Sequence, residues 1–121
     1  MLEVEMTYSD SVRQLLKRFP DMPVAGYEEN LELPYVIYGE ALTTYIKKLA
    51  VTNDSNHLMH IFDFLEEMAN CEDEEVQNLL QVGVLEVLWD DRQLYFIARK
   101  YMHQKTADIF KRIGAYFSEP N

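Results

Sequence analysis

The feature that most constrains this chain is the period of its apolar residues. From Val12 onward they recur at steps of three and four, the spacing that lines one face of an α-helix. Val12, Leu15, Leu16 and Phe19 form one stripe, and Tyr38, Leu42, Tyr45, Ile46 and Leu49 a second. Leu58, Ile61, Phe62, Leu65 and Ala69 follow, then Leu94, Ile97, Ala98 and Tyr101, then Ile109, Phe110, Ile113, Tyr116 and Phe117. The only β-compatible run is Tyr35-Val36-Ile37-Tyr38. The pattern predicts an all-α protein, a compact single domain of five to six antiparallel helices over residues 1–121. Connections of a few residues after position 53 favour antiparallel neighbours.

Local signals divide the helices. Ser9 or Asp10 can cap the first, and Pro20 and Pro23 end it. Residues 21–33 form a proline-bracketed loop, and Pro34 suits the first position of the next helix, where a missing N–H costs little. Asn53 is the expected stop. Ser55 is the expected cap of a third helix ending at Asn70, and Cys71-Glu72-Asp73 the turn into a fourth. The fourth helix, 73–89, carries two stripes: Val76, Leu79, Leu80, Gly83 and Val87, and almost opposite them Val82, Leu85 and Trp89. A helix apolar on two sides belongs between neighbours, so it is placed at the centre, with Gly83 allowing close approach. Asp90 or Asp91 can cap a fifth helix and Thr106 a sixth. Helices 56–70 and 73–89 resemble a HEAT-type pair in their Asp-x-x-Val, Asn and Leu-Leu pattern. No second unit aligns with them, which implies HEAT-like local pairing inside a compact domain rather than a repeat array.

Charge excludes several functions. The 121 residues hold 21 acids and 11 Lys or Arg, a net charge of −10. A chain this acidic has no general positive field to hold nucleic acid. No apolar stretch approaches the roughly 18 residues that span a bilayer. The beginning, MLEVEMTYSD, has acids where a secretory signal has bases, so cytoplasm is the expected compartment, and the single Cys71 agrees with a reducing one. The acidity is also uneven: residues 1–53 carry −3, residues 54–91 carry −11 without one Lys or Arg, and residues 92–121 carry +4.

Catalytic motifs are absent: there is no phosphate-binding glycine loop, G-x-S-x-G elbow or H-E-x-x-H pair. Cys71 is followed by acids and lacks the positive neighbours that favour a thiolate. His57, His60, Asp63 and Glu67 share one helix side at ligand-like spacing, yet the same spacing describes the wet face opposite Leu58, Ile61 and Leu65. The wet face is the expected reading, with no metal and no cofactor. Glu86 lies inside an apolar stretch and calls for a tie to Arg92, Arg99 or Lys105. Tyr27, beside Glu28 and Glu29 in the loop, has no core stripe to join and is either a contact residue or a ring folded back on the domain. Eleven acids without a base exceed what solubility needs, and their mutual repulsion would be relieved by a basic partner.

Phe62-Asp63-Phe64-Leu65-Glu66-Glu67-Met68, Asp73-Glu74-Glu75-Val76-Gln77-Asn78-Leu79-Leu80 and Gly83-Val84-Leu85-Glu86-x-Leu88, with Tyr101-Met102-x-x-Lys105-Thr106, resemble a family of small all-helical bacterial proteins. That family is of the immunity type, associated with polymorphic or contact-dependent toxin systems. The resemblance covers about residues 45–113, lies mainly in core positions of two helices and supplies no catalytic residue. Glu86 is its recurring polar position, and His103-Gln104 depart from a turn-forming Gly-Pro. It implies a non-enzymatic immunity protein that neutralises a cognate toxin, such as a basic nuclease domain, through an acidic surface. The expected contacts are Glu66, Glu67, Glu72, Asp73, Glu74, Glu75, Asp90 and Asp91, with Tyr27 beside them. A helical adaptor with an apolar groove for a peptide or helix is the alternative, and a metal enzyme around His57, His60 and Asp63 a third reading.

Overall fold

Pro34 opens the first long helix, as its fixed φ and missing N–H favour. The Tyr35–Tyr38 run therefore continues as helix, not strand. The computed structural model describes residues 6–117; both ends of the expected 1–121 domain lie outside the described residues. Six helices account for the fold: α1 (Ser11–Arg18), α2 (residues 34–51), α3 (Ser55–Ala69), α4 (residues 74–90), α5 (Arg92–Tyr101) and α6 (Gln104–Phe117). Short 3-10 turns occupy Tyr8–Asp10 and Glu28–Asn30. Among the described residues there is no strand.

The helices close on one another. α2 packs on α3, α4 and α5; α3 packs on α4, α5 and α6; and α4 packs on α5 and α6. A repeat array would limit each pair to its neighbours, whereas here α3 and α4 are both central. One continuous buried cluster runs through them, with Leu15, Tyr38, Ile46, Phe62, Leu65, Leu80 and Leu85 fully enclosed. The Tyr38 hydroxyl donates to the Ser11 carbonyl at 2.7 Å, tying α2 to α1. Among the described residues no buried side-chain nitrogen or oxygen lacks a partner.

Two helices are locally wound as π-helix, Ile37–Leu42 in α2 and Leu79–Leu85 in α4, and they face each other at paired glycines. A methyl on Gly39 would sit 3.1 Å from the Gly83 carbonyl oxygen, so the close approach expected at Gly83 is real. The i→i+5 winding also rotates the later part of α4 relative to an α-helix. Val84 and Leu88 turn inward with Leu85, while Val82 faces solvent, which removes Val82 from the second stripe expected for this helix.

Most boundaries follow the local signals. Asn53 takes a left-handed φ of 58° after α2, Asn70 ends α3, and Asp91 caps α5 by accepting from the Leu94 N–H at 3.1 Å. Three caps differ. Asp54, not Ser55, caps α3 through the His57 N–H. Asp10 precedes α1 but accepts from the Thr7 N–H behind it. Thr106 lies inside α6, whose preceding residue is His103. Tyr116 and Phe117, expected in the core stripe of α6, are exposed.

Candidate functional site

The acidic segment divides into acids spent on the fold and acids left for solvent. Glu66 reaches from α3 to the first turn of α6, where it accepts from the N–H groups of Lys105 (2.9 Å) and Thr106 (3.0 Å) and from the Thr106 hydroxyl (2.9 Å). Burial alone would raise this carboxyl, but those bonds, helped by His103, outweigh it and hold Glu66 below its ordinary range. Glu67 makes a two-pronged ion pair with Arg18, at 2.6 and 3.0 Å. Asp73 caps α4 through the Glu75 and Val76 N–H groups and also accepts from Tyr8. Asp91 caps α5 and meets Lys47 at 2.7 Å; the Lys47 bond, then the Leu94 N–H, lower its carboxyl. Glu72, Glu74, Glu75 and Asp90 are exposed, and none of them makes an ion pair among the described residues.

Glu75, at the start of α4, adjoins apolar surface that the sequence did not single out. Tyr35, at the start of α2, lies with its ring centre 6.1 Å from that of Tyr8 and accepts at its hydroxyl from the Asn78 side chain on α4. Its ring also packs over Gly83. Burial, with Tyr35 and Glu75 close by, pushes the Tyr8 hydroxyl up from its usual value. Val82 follows Asn78 by one turn on the outside of α4, and Leu31 and Leu33 lead into Tyr35; all four apolar side chains are exposed, Leu33 by half. Glu74, Asn78 and Val82 stand at steps of four, on one helix face. A face of this kind has apolar anchors with carboxylates at the edge. Only tertiary contact exposes it, because Gly83 admits the Tyr35 ring where a larger residue would stand.

Tyr27 is half-buried and packs against the core, so the loop ring folds back on the domain. Glu86 is half-buried but pairs with none of Arg92, Arg99 or Lys105; it lines a cleft of about 410 Å³ with Gln81, Ile109, Arg112, Ile113 and the exposed Tyr116 and Phe117. Of those three bases, Arg99 lies over the Tyr95 ring instead. Cys71 is half-buried, a free thiol donating to the Met6 carbonyl.

His57, His60, Asp63 and Glu67 do come together, in a cleft of about 360 Å³ completed by Arg18, Phe19, Pro20, Asp21 and Tyr45. Three of the four are turned to other partners. His57 Nδ1 meets Asp54 at 2.9 Å, Asp63 meets His103, and Glu67 meets Arg18. The His57 contacts lower the Asp54 carboxyl. Among the described residues no three such groups are arranged to hold a metal ion. Helix spacing placed the four on one side of α3; it carried no information about partners on α1, α6 or the loop.

A family model described as "Domain of unknown function (DUF7674)" matches residues 12–117. No curated protein and no solved structure matches the chain. Among the described residues no helix is long and apolar enough to cross a membrane.

Proposed function

We propose that this chain, which belongs to the DUF7674 family of unknown function, is a non-enzymatic immunity-type protein of a bacterial cytoplasm that binds and neutralises a cognate toxin domain with a basic surface. The supporting observation is the outer face of α4, which carries exposed Glu74, Glu75 and Val82 and meets the exposed Tyr35 through Asn78. Interfaces combine an apolar centre with a polar rim, and aromatic anchors carry much of their energy. Uncompensated carboxylates add electrostatic steering toward a basic partner. A nuclease toxin must display bases to hold phosphate, so the same face competes with its substrate. Glu66, Glu67, Asp73 and Asp91 belong to this reading as residues that hold the face in shape, and Glu72, Glu74 and Glu75 as the contacts.

The experiment is co-expression with the variable C-terminal domain of a large secreted protein encoded next to this one. The full chain is expected to restore growth. Reversing Glu72, Glu74 and Glu75 to Lys is expected to slow association and flatten its salt dependence while leaving the helical signal intact. Rescue that is indifferent to the reversal removes this face from the reading, and the absence of such a neighbouring gene counts against immunity itself.

The second reading, a helical adaptor, draws on the cleft between α4 and α6, where Ile109 and Ile113 meet the exposed Tyr116 and Phe117. A helix or peptide seated there would bind with little salt dependence, and Tyr116→Ser would weaken it while the acid reversal would not.

A further inference from the structure

The acidic face has an opposite number on the same molecule. Phe96 on α5 is 62% exposed, and Arg92, Arg99 and Lys100 stand three or four residues from it, on the same helix side. These cations are placed without being neutralised. Arg99 donates to the Tyr95 hydroxyl at 3.0 Å and lies over that ring, and Lys100 lies over the ring of Tyr101. Among the described residues none of the three forms an ion pair with an acid. The support beneath is rigid: Trp89, Tyr95 and Phe110 interlock with ring centres 5.0–5.5 Å apart, and Phe96 meets Tyr95 edge-on at 5.4 Å.

Trp89 belongs to the last turn of α4, whereas Glu74 and Glu75 belong to its first. Fourteen or fifteen residues at 1.5 Å each separate the two by about 21–22 Å along the helix. Within one molecule Glu72, Glu74 and Glu75 form no ion pair with Arg92, Arg99 or Lys100. The two groups can meet between two molecules. We propose that the chain associates head to tail with a second copy of itself, the Phe96 face of one on the α2–α4 face of the next.

Charge complementarity selects this occupant. Among the described residues, the three unpaired cations of α5 are matched in number and opposed in sign by the unpaired, exposed Glu72, Glu74 and Glu75 that a second copy presents. Its remaining charge is damped, because the screening length is about 8 Å at physiological salt. Asp90, exposed beside Arg92, is the acid flanking the cationic face. Unlike surfaces make a heterologous contact, which builds a ring or an open chain rather than a two-fold dimer. The inference stands without the toxin reading; where both hold, a basic partner and a second copy compete for one face.

Sedimentation of the full chain across a concentration series tests it. At about 0.15 M salt the average mass is expected to rise with concentration, and at about 1 M, where the screening length is roughly 3 Å, to fall to monomer. Reversal of Arg92, Arg99 and Lys100 to Glu, or of Glu72, Glu74 and Glu75 to Lys, is each expected to reduce self-association about tenfold or more. Mixing the two variants is expected to restore it, because the exchanged charges match again. Phe96→Ser, which leaves all charges in place, is expected to weaken association as well, and it serves if either triple variant fails to fold. A wild-type chain that stays monomeric up to its solubility limit at 0.15 M salt overturns the proposal. So does association that survives either reversal, or a mixture that stays monomeric. Binding of a single-stranded oligonucleotide or anionic vesicles at Phe96, with no self-association, assigns the face to another partner and overturns it too.

Discussion

Glu66 on α3 binds Thr106 on α6 twice, through its backbone N–H and its hydroxyl, and the same carboxylate takes the Lys105 N–H. It thus does for α6 what a capping side chain normally does from the preceding residue. That preceding residue, His103, sends its imidazole to Asp63, one turn earlier on α3. Two acids of one helix thereby dock the start of another, and negative charge there also suits the positive end of the α6 dipole.

Glu66→Ala is expected to lower the free energy of unfolding by about 1–2 kcal/mol, the loss of a cap with charge-assisted bonds. Glu66→Gln, which keeps an acceptor but no charge, should cost less. Urea denaturation followed by circular dichroism measures both. Hydrogen exchange should show Lys105 and Thr106 exchanging faster in the alanine variant.

Stability should fall in acid. Asp10, Asp54, Glu66 and Asp91 all have carboxyls lowered in the fold. A carboxyl with a lowered folded pKa contributes stability above its unfolded pKa and loses that contribution as pH falls through the folded value. The melting temperature is therefore expected to be flat above about pH 5 and to drop as pH falls below about 4. The Glu66→Gln variant should show a shallower drop. A wild-type melting temperature unchanged down to pH 3 contradicts the assignment.

Gly114 and Gly83 should respond differently to alanine. A methyl on Gly114 would lie 2.6 Å and 2.9 Å from two carbons of the Trp89 indole, which its aromatic neighbours hold in place. Overpacking of this kind costs about 1–3 kcal/mol. At Gly83 the nearest atom, at 3.1 Å, is the tip of Leu79, which can rotate, and alanine gains up to about 1 kcal/mol in helix propensity. Gly114→Ala is expected to destabilise and to shift Trp89 fluorescence. Gly83→Ala, which must also press on the Tyr35 ring at 3.3 Å, should destabilise less than Gly114→Ala.

The acids of residues 72–75 should separate by variant. Asp73→Ala removes the cap of α4 and the acceptor for Tyr8, and should cost about 1 kcal/mol. Glu74→Gln with Glu75→Gln touches no ion pair of the described residues and should change stability by less than about 0.5 kcal/mol. Equal losses in both variants would mean that Glu74 and Glu75 also support the fold.

What was readable in advance was local. Apolar spacing marked the helices, Pro34 and Asn53 marked an entry and an exit, Asp90 and Asp91 offered a cap of which Asp91 is the one used, and the absence of strands among the described residues followed from the missing alternation. Each depends on residues within about one turn of one another, so the order of residues alone carries it. The division of the acids was decided elsewhere. Glu66 and Glu67 are neighbours of similar appearance, yet one caps α6, 40 residues away, and the other pairs with Arg18, 49 residues away. Glu74 and Glu75 meet no basic partner among the described residues. The π-helical crossing at Gly39 and Gly83 and the exposure of Tyr35 and Phe96 likewise arise where helices meet. Periodicity orients a side chain about its own helix axis, but only packing between helices decides what stands opposite it.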